Sequence, residues 1–470
     1  MICSIKADLI NTFSSSASQG HAAFFLGAGI SRRSSLPSFM ELLAGEAKKT
    51  LNIQSFEAEH CPDIAQFLVN KYSSDSESEG KEKLHEYLKE RIIGSAESGS
   101  NDYLESIVKS NVNTIWTTNY DHLIEEHMRK FSKKYIVKSS EQDYQTSFAC
   151  NGEVEILKIH GDIDSKELVI TRNDYDEFNA KNGLTIKRLE NDLLTKSFLF
   201  IGYSYNDPDI KNIVNSVRLI QEYSKNKHLI ENKHFLILEK EKNLERIDYQ
   251  NLWVEDLKRY NIHTYVYDNQ DGTHSALKGI LKEIEHQSKG KSVYVTGSHK
   301  DNSSSIALEL GKKLASNDKI VMNYGLSKGI GESSCCAFVQ CLVSNQKRLK
   351  ERLAVFANPY VFCTDWDDKD FLLDDLLDLR NSLFESSQII VAFPGGKGTI
   401  QEIELARRKG CVIIPVFGKD SEFGKAVKHV RQIFDDLKYH NSTYYQKITD
   451  DVEHVSANDI YNCIKEILNV

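Results

Sequence analysis

No Cys-x-x-Cys pair occurs anywhere in this 470-residue chain, although it carries nine cysteines. That excludes a zinc ribbon, whose ligands come as spaced pairs. Cys335-Cys336 and Cys341 lie close together but lack that spacing. Scattered and odd in number, the thiols read as buried and reduced. There is no excess of basic residues either: 59 Lys and Arg against 68 Asp and Glu leave a net charge of −9. That is the wrong sign for nonspecific nucleic-acid binding. Long apolar runs are missing as well. The most apolar early stretch, Ala22 to Gly29, falls far short of the roughly 18 residues a spanning helix requires. The start, Met1-Ile2-Cys3-Ser4-Ile5-Lys6, has no basic region leading into an apolar core, so no secretory signal is expected. These absences predict a cytoplasmic protein that binds neither nucleic acid nor membrane.

What is present suits a soluble enzyme. The length predicts two or three domains. At 40% hydrophobic and 27% charged residues, the chain has ample material for packed cores. Apolar runs followed by amphipathic stretches recur throughout, which predicts α/β architecture with a largely parallel sheet. Strands are expected at 22–26, 114–117, 154–159, 198–202, 235–238 and 264–267, and further on at 293–296, 319–324, 388–393 and 411–417. Helical patterns cover 38–50, 84–93 and 120–131, and the Ser-, Asp- and Glu-rich stretch 73–80 reads as a solvated loop. A helix spaced by Leu277, Ile280, Leu281 and Ile284 ends in the polar run His286 to Lys291, after which a new strand begins. The boundary belongs there, giving domains 1–287 and 291–470.

Four short motifs stand out in the first half: Gly27-Ala28-Gly29-Ile30-Ser31, Thr117-Thr118-Asn119-Tyr120-Asp121, His160-Gly161-Asp162 and Gly202-Tyr203-Ser204. Each closes an expected strand, and open α/β sheets bind ligands at the carboxyl ends of strands. Each also has a plainer reading. The Gly-x-Gly turn lacks the third glycine of a dinucleotide fingerprint, because Arg32 stands there, and serves equally as a tight turn. Asn119 is a suitable helix N-cap. His160 is as readily structural as catalytic. Together at four strand ends, they point to one shared crevice.

In order and spacing, these motifs resemble those of sirtuins over about residues 15–285. The resemblance implies a Rossmann-like domain that takes NAD+ as substrate. Gly27, Gly29 and Ser31 would hold the phosphates, Gly202 and Ser204 would lie on the adenosine side, and Ala28 and Asp121 would also bind the NAD+. Asn119 and His160 would be catalytic: a carboxamide offers one acceptor and two donors, and an imidazole titrates near neutrality and can act as general base. Two departures weigh against a protein deacylase: the cysteine zinc module is missing, and Leu36-Pro37-Ser38-Phe39 replaces the usual Pro-Asp-Phe-Arg stretch. With no peptide acceptor implied, water is the simplest nucleophile and no metal is expected.

The second half carries three glycine clusters, each after an apolar strand: Gly297-Ser298, the run Gly325 to Gly331, and Pro394-Gly395-Gly396-Lys397-Gly398-Thr399-Ile400-Gln401-Glu402. Glycine turns opening helices make phosphate cradles. The last cluster resembles the SLOG family, whose Pro-Gly-Gly-x-Gly-Thr-x-x-Glu motif holds nucleotide-like ligands. Gly297, Ser298, Gly325, Gly329, Arg380, Lys397, Gly398 and Glu402 are the expected contacts. Some members of that family release the base from nucleoside monophosphates with an Arg and that Glu, so a nucleotide hydrolase is an alternative. A sirtuin-like half joined to a SLOG-like half resembles the NAD-consuming effectors of Thoeris antiphage defence. That likeness implies NAD+ hydrolysis switched on by a cyclic ADP-ribose isomer from a TIR-domain partner. It also implies abortive infection through NAD depletion, and a homotetramer that extends into filaments in some members. A deacylase and a non-catalytic nucleotide-binding regulator are the remaining alternatives.

Overall fold

The structure, a computed structural model, describes residues 2–74, 76–95, 101–149, 153–165, 167–203, 208–223, 233–300, 304–350, 352–358, 380–416, 441–450 and 455–470. Two compact units emerge: Met1–Val108 with Val112–Ile284, and Lys109–Asn111 with Glu285–Val470.

The first unit is built on seven strands: β1 (Ala22–Leu26), β2 (Thr114–Thr117), β3 (Tyr135–Lys138), β4 (Val154–Lys158), β5 (Ser197–Ile201), β6 (His234–Glu239) and β7 (Ile262–Tyr267). They run parallel in the order β3-β4-β2-β1-β5-β6-β7. Side chains alternate along each strand, and both faces are covered by helices. Phe24 and Leu26 enter one apolar cluster with Ile115, while Ala23 and Phe25 enter the other with Trp116. Burial on both faces is why β1 and β5 read as unbroken apolar runs.

The second unit repeats the plan with five parallel strands: β8 (Ser292–Thr296), β9 (Val321–Tyr324), β10 (Leu353–Val355), β11 (Ile389–Ala392) and β12 (Val412–Pro415). Their order is β10-β9-β8-β11-β12. The chain leaves β8 toward β9 on one side and later returns to β11 on the other. The topological switch point therefore lies between β8 and β11.

Both sheets are parallel, as the apolar runs predict, but several local expectations fail. The helix Glu77–Ser95 begins inside the stretch expected to be a loop. Glu77 and Glu79 suit its amino end, and Glu79 pairs with Lys83 one turn on at 2.7 Å. The helix expected over 120–131 begins only at Leu123. Strands β3 and β10 escaped the sequence reading because they are edge strands, half-buried for most of their length, and so carry no long apolar run. Phe417, at the end of one expected strand, lies outside the described residues. Among the described residues no helix is long and apolar enough to cross a membrane.

Candidate functional site

The four motifs of the first unit end four contiguous strands, β4, β2, β1 and β5, all at the same carboxyl edge. Thr117 of β2 pairs in register with Lys158 of β4. Asn119 and His160 therefore leave neighbouring strands at the same height, two residues beyond each end.

Asn119 is buried, and its helix-cap reading fails because His122 occupies the N-cap of the following helix, Leu123–Lys130. Its amide nitrogen Nδ2 donates to the Gly27 carbonyl at 3.2 Å and to Ser31 Oγ at 2.9 Å. Ser31 Oγ in turn donates to Asp121 Oδ2 at 2.8 Å. A carbonyl can only accept, so the contact with Gly27 fixes which way the carboxamide is turned. Both amide hydrogens are thus engaged within the protein. Oδ1 accepts no hydrogen bond from the described residues and is not sealed from solvent. The donors expected to be available for a ligand are used to orient the residue, leaving one fixed acceptor.

Asp121 has its other carboxylate oxygen, Oδ1, engaged by the Leu123 amide at 3.1 Å. Its geometry is that of an orienting group beneath Asn119. His160 is buried, with Tyr175 and Phe178 set edge-on to its ring at centroid distances of 5.6 and 6.2 Å. Those rings give the imidazole a dry aromatic wall.

The glycines of the first and fourth motifs interlock. Gly27 N donates to Ile201 O at 3.0 Å and Gly29 N to Gly202 O at 2.9 Å. Gly202 has φ +64°, and a Cβ there would lie 2.6 Å from Ile30 N. Close approach of two backbone turns accounts for these glycines, and their amides are engaged in it. Ala28, by contrast, is exposed at the start of the short helix Ala28–Ser31. Ser204 lies outside the described residues.

Sequence reasoning missed a polar cluster under the same edge. Lys158 ends β4 with its side chain fully buried, and its ammonium lies 2.7 Å from Glu125 Oε1 and 2.6 Å from Asp162 Oδ2. It also donates to the Asp121 carbonyl at 2.7 Å. His122 Nε2 lies 2.8 Å from Asp162 Oδ1. The hydrogen bond to Asp162 raises the His122 pKa despite partial burial. Burial opposes ionisation of Asp162, but His122 and the Lys158 ammonium hold its carboxyl well below the usual range. The signal was available: a lone lysine in the apolar run Ile156-Leu157-Lys158-Ile159 needs buried partners. His122, Glu125 and Asp162 are close enough to ligate a cation, but the Lys158 ammonium already lies against both carboxylates.

In the second unit the three glycine clusters follow β9, β8 and β11, again at one carboxyl edge and across the switch point. Arg380, 1% exposed, is the centre of a buried network there. Its Nε and Nη2 donate to Glu402 Oε1 at 2.9 and 2.6 Å, and its Nη1 to the Gly325 carbonyl at 2.6 Å. Tyr294 and Thr296 hydroxyls also donate to Glu402. Among the described residues Arg380 thus meets Glu402, the Tyr294 hydroxyl and the Gly325 carbonyl. Gly297 packs against Phe393 and Ile330, Gly329 against the Ser298 carbonyl, and Ser298 N donates to Pro394 O at 2.9 Å. Gly396 and Gly398 differ, since a Cβ at either would meet nothing within 4 Å. Open space over the start of the helix Lys397–Arg408 gives a small anionic group room to approach its amides. The Lys397 side chain is outside what is described.

Comparison with known proteins matches each unit. A SIR2-like domain family matches residues 113–265, and the Sir2- and TIR-associating SLOG family matches residues 276–470. The chain is 29% identical over 462 residues to a protein of Enterococcus faecium named NAD(+) hydrolase ThsA, covering 92% of each chain. A protein of the same name from Acinetobacter baumannii (strain 532279) is 24% identical over 93% of each chain. Defense-associated sirtuin 2 of Bacillus subtilis is 27% identical over 228 residues, 46% of this chain and 21% of that protein.

Proposed function

We propose that this ThsA-like protein, a SIR2-like domain followed by a SLOG domain, hydrolyses NAD+ to nicotinamide and ADP-ribose at the carboxyl edge of its first sheet. The observation that carries this reading is the locked carboxamide of Asn119, with both hydrogens engaged and Oδ1 left as acceptor. Cleavage of the nicotinamide–ribose bond sends the bonding pair to nicotinamide and leaves an electron-poor C1′. Water adds there and loses a proton. An acceptor fixed in direction can hold that water, or a ribose hydroxyl, in line with C1′. His160, on the adjacent strand end, takes the proton as general base. The rings of Tyr175 and Phe178 exclude water from that side of the imidazole. With the Gly27 and Gly29 amides engaged by the opposing turn, pyrophosphate contacts fall to the exposed Ala28 and its neighbours in the first turn of the short helix. Gly202 borders the adenosine side.

The SLOG domain binds the activating signal, a cyclic ADP-ribose isomer produced by a TIR-domain enzyme. The Sir2- and TIR-associating character of the matching family supports such a source. Gly396, Lys397 and Gly398 supply the open amide end for a phosphate, while Gly297, Ser298, Gly325 and Gly329 shape the floor. Arg380 and Glu402 tie the ends of β9 and β8 to the helix Lys397–Arg408 under it. Binding raises hydrolysis only if the signal prefers the active state over the resting one. The active form is a homotetramer or filament, in the cytoplasm, and its output is NAD depletion and abortive infection.

The test is nicotinamide release from NAD+ by purified full-length protein, with and without a panel of cyclic ADP-ribose isomers. Release stimulated by one isomer is expected. Absence of release under every condition contradicts the reading. An arm with acylated peptide separates a deacylase, which would release nicotinamide only with peptide present.

A further inference from the structure

Two loops carry Asn119 and His160, and one side chain joins them. We propose that Lys158 is a positioning residue for the hydrolysis proposed above, a cation built into the fold that holds the two loops in register; this inference rests on that reading. Its ammonium donates to the Asp121 carbonyl in the loop after β2, and lies 2.6 Å from Asp162 in the loop after β4. A third contact, 2.7 Å to Glu125, anchors it to the helix Leu123–Lys130. Asp162 relays the link back across: its other oxygen receives His122, two residues past Tyr120. One backbone bond, Ile163 N to Tyr120 O at 3.1 Å, parallels these side-chain links.

The arrangement decides where Asn119 points. Asp121 receives Ser31 on its carboxylate and Lys158 on its carbonyl, and Ser31 in turn receives the Asn119 amide. Displacing the Asp121 backbone moves Ser31, and with it the direction of the Asn119 acceptor. Lys158 is fully buried, so it cannot itself touch NAD+. It acts through others. The cluster also accounts for the cation-ligand geometry of His122, Glu125 and Asp162: the charge those groups attract is the lysine's own.

The test compares three full-length proteins in steady-state hydrolysis of NAD+, each with the activating cyclic ADP-ribose isomer. They are wild type, Lys158→Arg, and the double variant Lys158→Met with Glu125→Gln. The double variant removes the ammonium without leaving Glu125 as an unpaired buried carboxylate. Misplacement of reacting groups by about 1 Å costs on the order of 10²-fold in rate. The double variant is therefore expected to keep its melting transition and its KM for NAD+ while kcat falls about 10²-fold, with arginine restoring part of the loss. Folded variants with wild-type kcat overturn the proposal. So does loss of the melting transition in both, which makes Lys158 a folding residue. A wild type that releases no nicotinamide overturns the hydrolase reading itself, whereas an active wild type with equally active variants overturns only the role of Lys158.

Discussion

The two units place their motifs alike and equip them differently. Each has a parallel sheet with glycine turns at the carboxyl edge, yet the polar side chains beneath do opposite things. In the first, buried hydrogen bonds push an acceptor outward: Asn119 is turned by Gly27 and Ser31 so that Oδ1 is left over. In the second, they turn toward one another, because Arg380 and Glu402 form an ion pair out of solvent. The first pattern is what the proposed reaction requires, a fixed direction and a free lone pair. The second rigidifies the floor beneath the open helix start at Gly396 and Gly398, where we propose that the signal binds. The same strand-turn-helix grammar can therefore build a reaction centre or a receptor, and the difference lies in which polar atoms are left over.

The contrast can be broken most severely at His160. Replacement by Ala should cost about 10²–10⁴-fold in nicotinamide release while leaving signal binding to the second unit unchanged by calorimetry. Equal losses in both would mean the substitution had damaged the fold.

Next in size is the ion pair. Arg380→Ala strands Glu402 as an uncompensated buried carboxylate and should destabilise the second unit by about 3–5 kcal/mol in denaturant melts. Adding Glu402→Gln should return much of that loss. A double variant no more stable than the single one would show that Arg380 does more for the fold than neutralise Glu402.

The glycines sharpen the comparison at smaller scale. Gly202→Ala places a Cβ 2.6 Å from Ile30 N at φ +64° and should lower stability by about 1–3 kcal/mol. Gly396→Ala has open space around it and should change stability by no more than about 0.5 kcal/mol, but should weaken the signal measurably in a binding titration. Equal melting of the two variants would remove the distinction between interlocking and ligand-facing glycines.

The smallest effect is on pH. Because Asp162 raises the His122 pKa, the protonated ring stabilises the folded state. That contribution is full below the unfolded histidine value of about 6.5 and is lost as pH rises through the higher folded value. Asp162 runs the other way: its lowered pKa stabilises the fold above the unfolded value of about 3.9, and the contribution disappears as pH falls toward its folded value. His122→Gln should flatten the loss of melting temperature just above pH 6.5, and an unchanged slope would exclude the His122–Asp162 pair as its source.

Much of this was legible before any coordinates. Central strands such as Ala22–Leu26 and Thr114–Thr117 are buried on both faces, so their apolar runs had the right bounds. Edge strands such as Tyr135–Lys138 were not legible, because the strand is half-buried for most of its length and its apolar run is short. Motif order placed Asn119 and His160 at strand ends, but nothing linear says that β4 lies beside β2 or that Ser31 meets Asp121 across 90 residues. Gly27 and Gly29 were expected at the phosphates, and the sequence does not show that their amides meet the turn after β5, because a glycine required by a neighbouring backbone and one required by a phosphate have the same one-letter signature. Arg380 was expected to contact the signal, and nothing linear says that its guanidinium also meets Glu402, Tyr294 and the Gly325 carbonyl. Pairing across strands, not residue type, decides such cases.

Everything rests on the acceptor of Asn119, and the most direct measurement is nicotinamide release by Asn119→Ala under activating conditions, alongside NAD+ binding by calorimetry. The account predicts NAD+ bound with near wild-type affinity and release lost by at least about 10²-fold. Release at the wild-type rate by a folded Asn119→Ala protein would contradict it.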